Sequence, residues 1–120
     1  MSNESRAEVQ AQFEQLIKAF NTNDEYTMWR CFLWPYTEIQ GNDLTLRYAP
    51  VSSLATLKAS TNWFYSQIAK LDIHANQHTA YVIADIVRLD SIKHVISEVS
   101  SLYVYKKVSG EWKILLISES

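Results

Sequence analysis

The chain has few of the residues that loosen, staple or span a structure. Among its 120 residues are two glycines and two prolines, which leaves little room for a disordered linker. A single cysteine, Cys31, allows no internal disulfide. There is no run of lysine or arginine, and the net charge is −2 with the signs interspersed. The sequence therefore offers no electrostatic footprint for nucleic acid and no basic patch to hold a membrane surface. Apolar runs stop at four or five residues, far short of the roughly 20 that a membrane helix needs. Residues 1–5 are polar and acidic, so no secretory signal is expected. These absences point to one cytoplasmic globular domain over residues 1–120, with no cofactor expected.

What is present is periodic. Ser5 and Glu8 have the spacing of a capping box. Val9, Phe13, Leu16, Ile17 and Phe20 then recur at helical spacing and predict an apolar stripe on a first helix. Residues 21–24 break it, and a second, short helix carrying Tyr26, Met28, Trp29, Phe32 and Leu33 should end at Pro35. Trp34 to Gln40 and Asp43 to Tyr48 are β-type runs joined by Gly41-Asn42, a two-residue hairpin signal. Pro50, Ser52 and Ser53 open a third helix, with Leu54, Leu57, Phe64, Ile68 and Leu71 at three-then-four spacing. From there the chain reads as four strands, at 72–77, 79–90, 93–108 and 111–118. Helices on one side of an antiparallel sheet make an α+β domain.

The last two strands flank Ser109-Gly110, and both arms are apolar at consecutive positions: Leu102 to Tyr105, then Ile114 to Ile117. Successive strand side chains point to opposite faces, so both faces of this hairpin need cover. One face can take the helices. The other is expected to take a second copy of the chain, giving a homodimer through the sheet.

Three pieces of the chain carry a resemblance to a known fold. Phe20 to Asp24 matches a hinge between the first two helices, Phe32 to Gln40 the lead-in to the first strand, and Lys106 to Ile114 a final turn with basic residues before a glycine and then Trp-x-Ile. In this order they resemble the nuclear transport factor 2-like proteins, within the SnoaL-like (polyketide cyclase-like) group. The resemblance implies three helices on a strongly curved antiparallel sheet, a cystatin-like cone around a cavity, and commonly a homodimer. The fold hosts isomerases, dehydratases, cyclases, transport factors and assembly domains, so it does not by itself give a function.

The resemblance also tests chemistry. Steroid isomerases of this fold use a general-base Asp late in the first strand, a Tyr on the first helix and an acid on the next-to-last strand. Those positions fall on Gln40, Leu16 and Leu102. Gln is not a base near neutral pH and Leu donates no hydrogen bond, so that activity is not expected. The His-x-His pair that ends many SnoaL-like sequences falls on Leu116 and Ser118.

Strand parity supplies the remaining candidates. With a bulge at Gly110, Glu98, Ser100, Leu102, Ile114, Leu116 and Ser118 share a face, which the resemblance makes the cavity face. A two-residue loop before Glu98 would set Asp85 opposite it, a carboxylate pair suited to acid–base catalysis. A three-residue loop would instead bring Arg88 to the Glu98 face as an ion pair or anion site. Trp29, Trp34, Tyr36, Trp63 and Tyr65 are candidates for an apolar ligand pocket, with core or dimer packing as the alternative. His74 and His78 are spaced i, i+4 but lie in strand and turn, so no metal pair is expected. Three readings follow: a binding domain for a small, mostly apolar ligand; an acid–base enzyme using Asp85 and Glu98; and an assembly module.

Overall fold

The first helix forms where the sequence repeats an apolar residue every three or four positions. In the computed structural model, which describes residues 2–50 and 52–119, α1 spans Ser2–Asn21. Val9, Phe13, Leu16 and Phe20 are buried, while Gln10, Glu14 and Lys18 face solvent. The helix begins before Ser5, so the expected capping box does not form and Ser5 is buried within it. Glu8 has better partners than a helix amide. Its carboxylate accepts from the Trp112 indole at 2.9 Å and from the Lys107 ammonium at 3.2 Å, which ties the start of α1 to the last hairpin.

A short helix, α2 (Glu25–Arg30), follows, capped by Asp24 accepting from the Thr27 amide. The first strand, β1, spans Phe32–Gln40 and so takes Phe32 and Leu33 out of the helix where the sequence put them. Gly41-Asn42 turns the chain into β2 (Asp43–Arg47), with Gln40 opposite Asp43; Gly41, at φ 56°, supplies the positive φ of the turn. Helix α3 is Leu54–Thr61, capped by Ser53 and ended by Asn62 in the left-handed region. It stops ten residues short of Leu71, because residues 65–75 form β3 (Tyr65–Ala75). The inward residues of β3 are Ser66, Ile68, Leu71 and Ile73, and a bulge between Ile68 and Lys70 inserts the extra step. That three-residue step imitates helical spacing, which is why periodicity over-extends the helix.

Strands β4 (Thr79–Leu89), β5 (Val95–Val108) and β6 (Glu111–Glu119) complete one six-stranded sheet, ordered β2-β1-β6-β5-β4-β3. All neighbours are antiparallel except β1 and β6, which run parallel. The architecture is three helices on one sheet, an α+β fold, with a single parallel pair at the seam.

The core lies between α1 and the inner sheet face. Val82, Ala84, Ile86, Tyr105, Trp112 and Ile114 meet Val9, Phe13 and Leu16 there. Phe13 sets its ring edge-on to Tyr103 at 4.9 Å. Each fully buried apolar side chain contributes roughly 1.5–3 kcal/mol. At its far end α1 is clamped to β3: the Asn21 amide group donates to the Ser66 carbonyl at 2.9 Å, and the Ser66 amide donates back to Asn21 Oδ1 at 2.7 Å. The Lys58 ammonium, buried on α3, donates to the Phe20 carbonyl and so binds α3 to the end of α1. Among the described residues, no helix is long and apolar enough to cross a membrane.

Candidate functional site: an aromatic cavity

The core does not fill the whole space under the helices. Beyond Leu16 the inner sheet face and the three helices enclose a cavity of about 490 Å3, within the range of small-molecule sites. Its rim is made by the exposed residues Gln40, Ala49, Pro50, Thr61 and Ile96. Its walls are largely apolar, with Ile17, Met28, Leu57, Ile86, Val99 and Ile117 among them. Aromatic rings from α1, α2 and β1, from the chain between α3 and β3, and from the fifth strand complete them.

Four of those rings form a connected chain. Trp34 is edge-on to Tyr36 at 5.2 Å and to Trp29 at 5.9 Å, and Phe32 packs tilted against Tyr36 at 4.5 Å. The Trp34 indole donates to the Trp29 carbonyl at 3.0 Å, which fixes its orientation. Across the cavity Trp63 packs on Phe20 at 4.6 Å and donates its indole N–H to Ser66 Oγ at 3.0 Å. Because Ser66 is itself held by Asn21 on α1, Trp63 is a preset aromatic platform.

Two arginine–carboxylate pairs bring charge into this apolar space. On β1 and β2, Arg47 donates through Nη2 at 2.9 Å and Nε at 3.3 Å to Glu38 Oε1. The Tyr36 hydroxyl donates to the other oxygen of Glu38 at 3.3 Å. On β4 and β6, Arg88 donates through Nη2 to Glu119 at 2.9 Å. Its guanidinium lies 4.0 Å above the Trp63 ring, and its Nε is buried with no partner among the described residues. Burial pushes the Tyr103 phenol up to about 12, and the nearby Glu119 carboxylate adds to this. Burial, then Glu38, raise the Tyr36 phenol as well.

The structure separates the sequence candidates by face. Trp34, Tyr36, Trp63 and Arg88 line the cavity, as does Trp29; Tyr65 does not. Asp85, Glu98, Ser100 and Ser118 do not line it. On β4 the buried residues Ala80, Val82, Ala84 and Ile86 point inward, so Asp85 points outward. Its partner on β5 is Ser100, and Glu98 lies opposite Val87. Neither loop length expected from sequence is found. The loop at 90–94 is longer, folded around the Asp90 carboxylate, which accepts from the amides of Ile92 and His94. The carboxylate pair therefore does not form, and Arg88 is on the face opposite to Glu98.

The last hairpin shows the same kind of slip. Its bulge lies between the Tyr105–Ile114 and Val104–Leu116 pairs rather than at Gly110. Leu102, Leu116 and Ser118 do share a face, as expected, but it is the outer one, and Ile114 points inward instead. Of the three steroid-isomerase positions, Leu16 and Gln40 border the cavity while Leu102 points away; its inward neighbours are Ser101 and Tyr103. Sequence reasoning did not find Glu38, Arg47, Tyr103 or Glu119. Only the alternation of β1 about Tyr36 could have flagged Glu38.

The outer face is not polar throughout. Tyr81, Ile83, Leu102 and Val104 form an open apolar groove there, with His74 stacked on Tyr81 at 4.7 Å.

No protein-family model matches the chain, and no curated protein matches it by sequence. Solved structures do match it. An NTF2-like protein of unknown function from Pseudomonas putida KT2440 superposes with a TM-score of 0.82 at 12% identity, covering 100% of this chain and 88% of the other. A provisionally named dehydratase of the NTF2-like family from Streptomyces avermitilis gives 0.79 at 17% identity, covering 98% and 96%. The association domain of C. elegans CaMKII gives 0.73 at 13% identity, covering 99% and 97%. The fold is thus that of the NTF2-like, cystatin-like α+β proteins, on which unrelated functions are carried.

Proposed function

We propose that this protein is a homodimeric binding domain that takes a small, mostly apolar molecule into the aromatic cavity. The observation that carries this reading is the cavity itself: about 490 Å3 walled by Trp29, Trp34, Trp63 and Phe20, with each lining carboxylate already held by an arginine. A packed core has no use for such a volume, since voids larger than a methyl group are costly. The aromatic platform is held by hydrogen bonds before any ligand arrives, which lowers the ordering cost of binding. The acid–base reading loses its support, because Asp85 and Glu98 are on the opposite face and apart. Tryptophan emission tests the binding reading, since three of the four tryptophans line the cavity and Trp112 does not. Neutral bicyclic aromatic ketones should quench it saturably, and Ser66→Trp, which fills the space beside Trp63, should abolish quenching. Unsaturable quenching in both proteins would sink the proposal.

The homodimer is supported by the outer face. Tyr81 and Ile83 are each about two-fifths exposed, and Leu102, Val104 and Leu116 adjoin them. Contiguous apolar sheet surface of this kind marks an interaction site. One similar fold is an association domain by name, which is in keeping with an oligomer. Light scattering should give twice the 13.9 kDa chain mass. A monomer at micromolar concentration would remove the dimer from the proposal.

A further inference from the structure

Arg88 and Arg47 stand in the same cavity and are satisfied differently. Arg47 meets Glu38 with both Nε and Nη2, the edge of the guanidinium that fits a carboxylate. Arg88 meets Glu119 with Nη2 alone, and its Nε is buried on that same edge with no acceptor among the described residues. A buried donor without an acceptor is costly, and native proteins retain few of them. The guanidinium is not free to turn toward another acceptor. It is stacked at 4.0 Å on Trp63, which is itself fixed by Ser66 and backed by Phe20. Half of a preset carboxylate fork is therefore left unused at the wall of an apolar, aromatic cavity.

We infer that Arg88 is the recognition residue for the carboxylate of a small aromatic or aliphatic acid, and that Glu119 holds this fork as an internal stand-in which the ligand displaces. This rests on the binding reading above and names the chemical class of its ligand. The apolar body of the acid lies among Trp63, Phe20 and Trp34, and its two oxygens take Nε and Nη2 together. Two carboxylates against one cation repel each other, so Glu119 swings away toward the rim, where its β1 neighbour is the exposed Gln40. Glu119 thus competes with the ligand, and the apparent affinity is lowered by the fraction of time it occupies the fork.

Two probes of matched shape separate the charge from the ring system: 2-naphthoic acid, ionised near neutral pH, and 2-acetylnaphthalene, its neutral methyl ketone. Their dissociation constants are measured on the full chain and on Glu119→Gln, Arg88→Met and Arg88→Lys. Glu119→Gln should tighten the acid by at least about tenfold, as removal of an occupying competitor requires, and leave the ketone within about twofold. Arg88→Met, combined with Glu119→Gln, should erase the preference for the acid. Arg88→Lys keeps the charge without the fork and should lose most of that preference, which covers the case in which Arg88→Met does not fold. If the ketone binds but Glu119→Gln moves acid and ketone together, or moves neither, the inference falls and the binding reading stands. If neither probe binds any of the proteins, both fall.

Discussion

Truncating Phe13 to alanine removes a ring that has no solvent exposure and sits where α1 crosses the sheet. Loss of a buried phenylalanine ring costs about 3–5 kcal/mol, from lost transfer energy and from the void left behind. Phe13 also gives up its edge-on contact with Tyr103, a geometry that adds roughly 0.5–1.5 kcal/mol beyond area. Its expected cost therefore lies at the top of the range, about 4–5 kcal/mol. Phe20 is as well buried but borders the cavity. Truncating it merges the new void with existing space, so fewer wall contacts are lost and the cost should be about 3 kcal/mol. Both are large beside a typical total stability of about 5–15 kcal/mol. Urea unfolding read by circular dichroism measures each, and the midpoint should fall with the slope unchanged. Less than ~1 kcal/mol at Phe13 would show that the stripe does not anchor the core. A larger loss at Phe20 than at Phe13 would show that the cavity wall is more tightly packed than the helix crossing, contrary to the arrangement described above.

Alkaline pH gives a second test. Burial pushes Cys31 up to about 11 and Tyr103 up to about 12, and raises Tyr36 and Tyr105 as well. The folded protein keeps these protons where the unfolded chain gives them up, so their stabilisation is complete below pH 9.0 and is lost progressively as pH rises through 11 to 12. Phenolate absorbance should show Tyr36, Tyr103 and Tyr105 ionising only as ellipticity collapses; ionisation of these three with ellipticity intact would contradict this. Asn21→Leu should cut the two bonds that join α1 to Ser66, costing roughly 2–3 kcal/mol and shifting Trp63 emission; an unchanged spectrum would refute the clamp. Leu102→Glu should halve the mass in light scattering without loss of helix signal, and an intact dimer would move the interface elsewhere. The protein should not isomerise a Δ5-3-ketosteroid, since at the cavity border Gln40 supplies no base and Leu16 no donor; robust turnover would refute the assignment of those positions.

The first helix, the run of strands after residue 71 and the α+β class were legible because each rests on a pattern repeated over many residues, whereas the ends of the second and third helices were not. Val9, Phe13, Leu16 and Phe20 form one unbroken stripe, and no single irregularity can hide it. The site was only half legible for the converse reason. Trp34, Tyr36 and Trp63 reveal themselves as aromatics in excess of core needs. The polar candidates rested on parity, and parity is reversed by one residue. The bulge in β6, the bulge in β3 and the 90–94 loop each insert such a residue. None has a marker as plain as a glycine at the site itself. Parity thus puts Glu98 and Ser100 on the cavity face that Ser97 and Val99 occupy, and says nothing of Glu119, which lies beyond the last apolar run.

The seam between β1 and β6 imposes an order on folding. Residues 32–40 have only β2 and β6 as sheet neighbours, and β6 is the last of the nine elements to leave the ribosome. A two-stranded hairpin alone is marginal in water, so β1 and β2 gain their place in the sheet only once β6 is made. Joining them to β6 closes a loop that contains most of the chain, which makes this a late and slow step. Until then β5 and β1 both present open edges of the kind that pair with other chains. The cavity is therefore the final part of the molecule to be completed, and any molecule that fits it would capture the closed sheet rather than an earlier form.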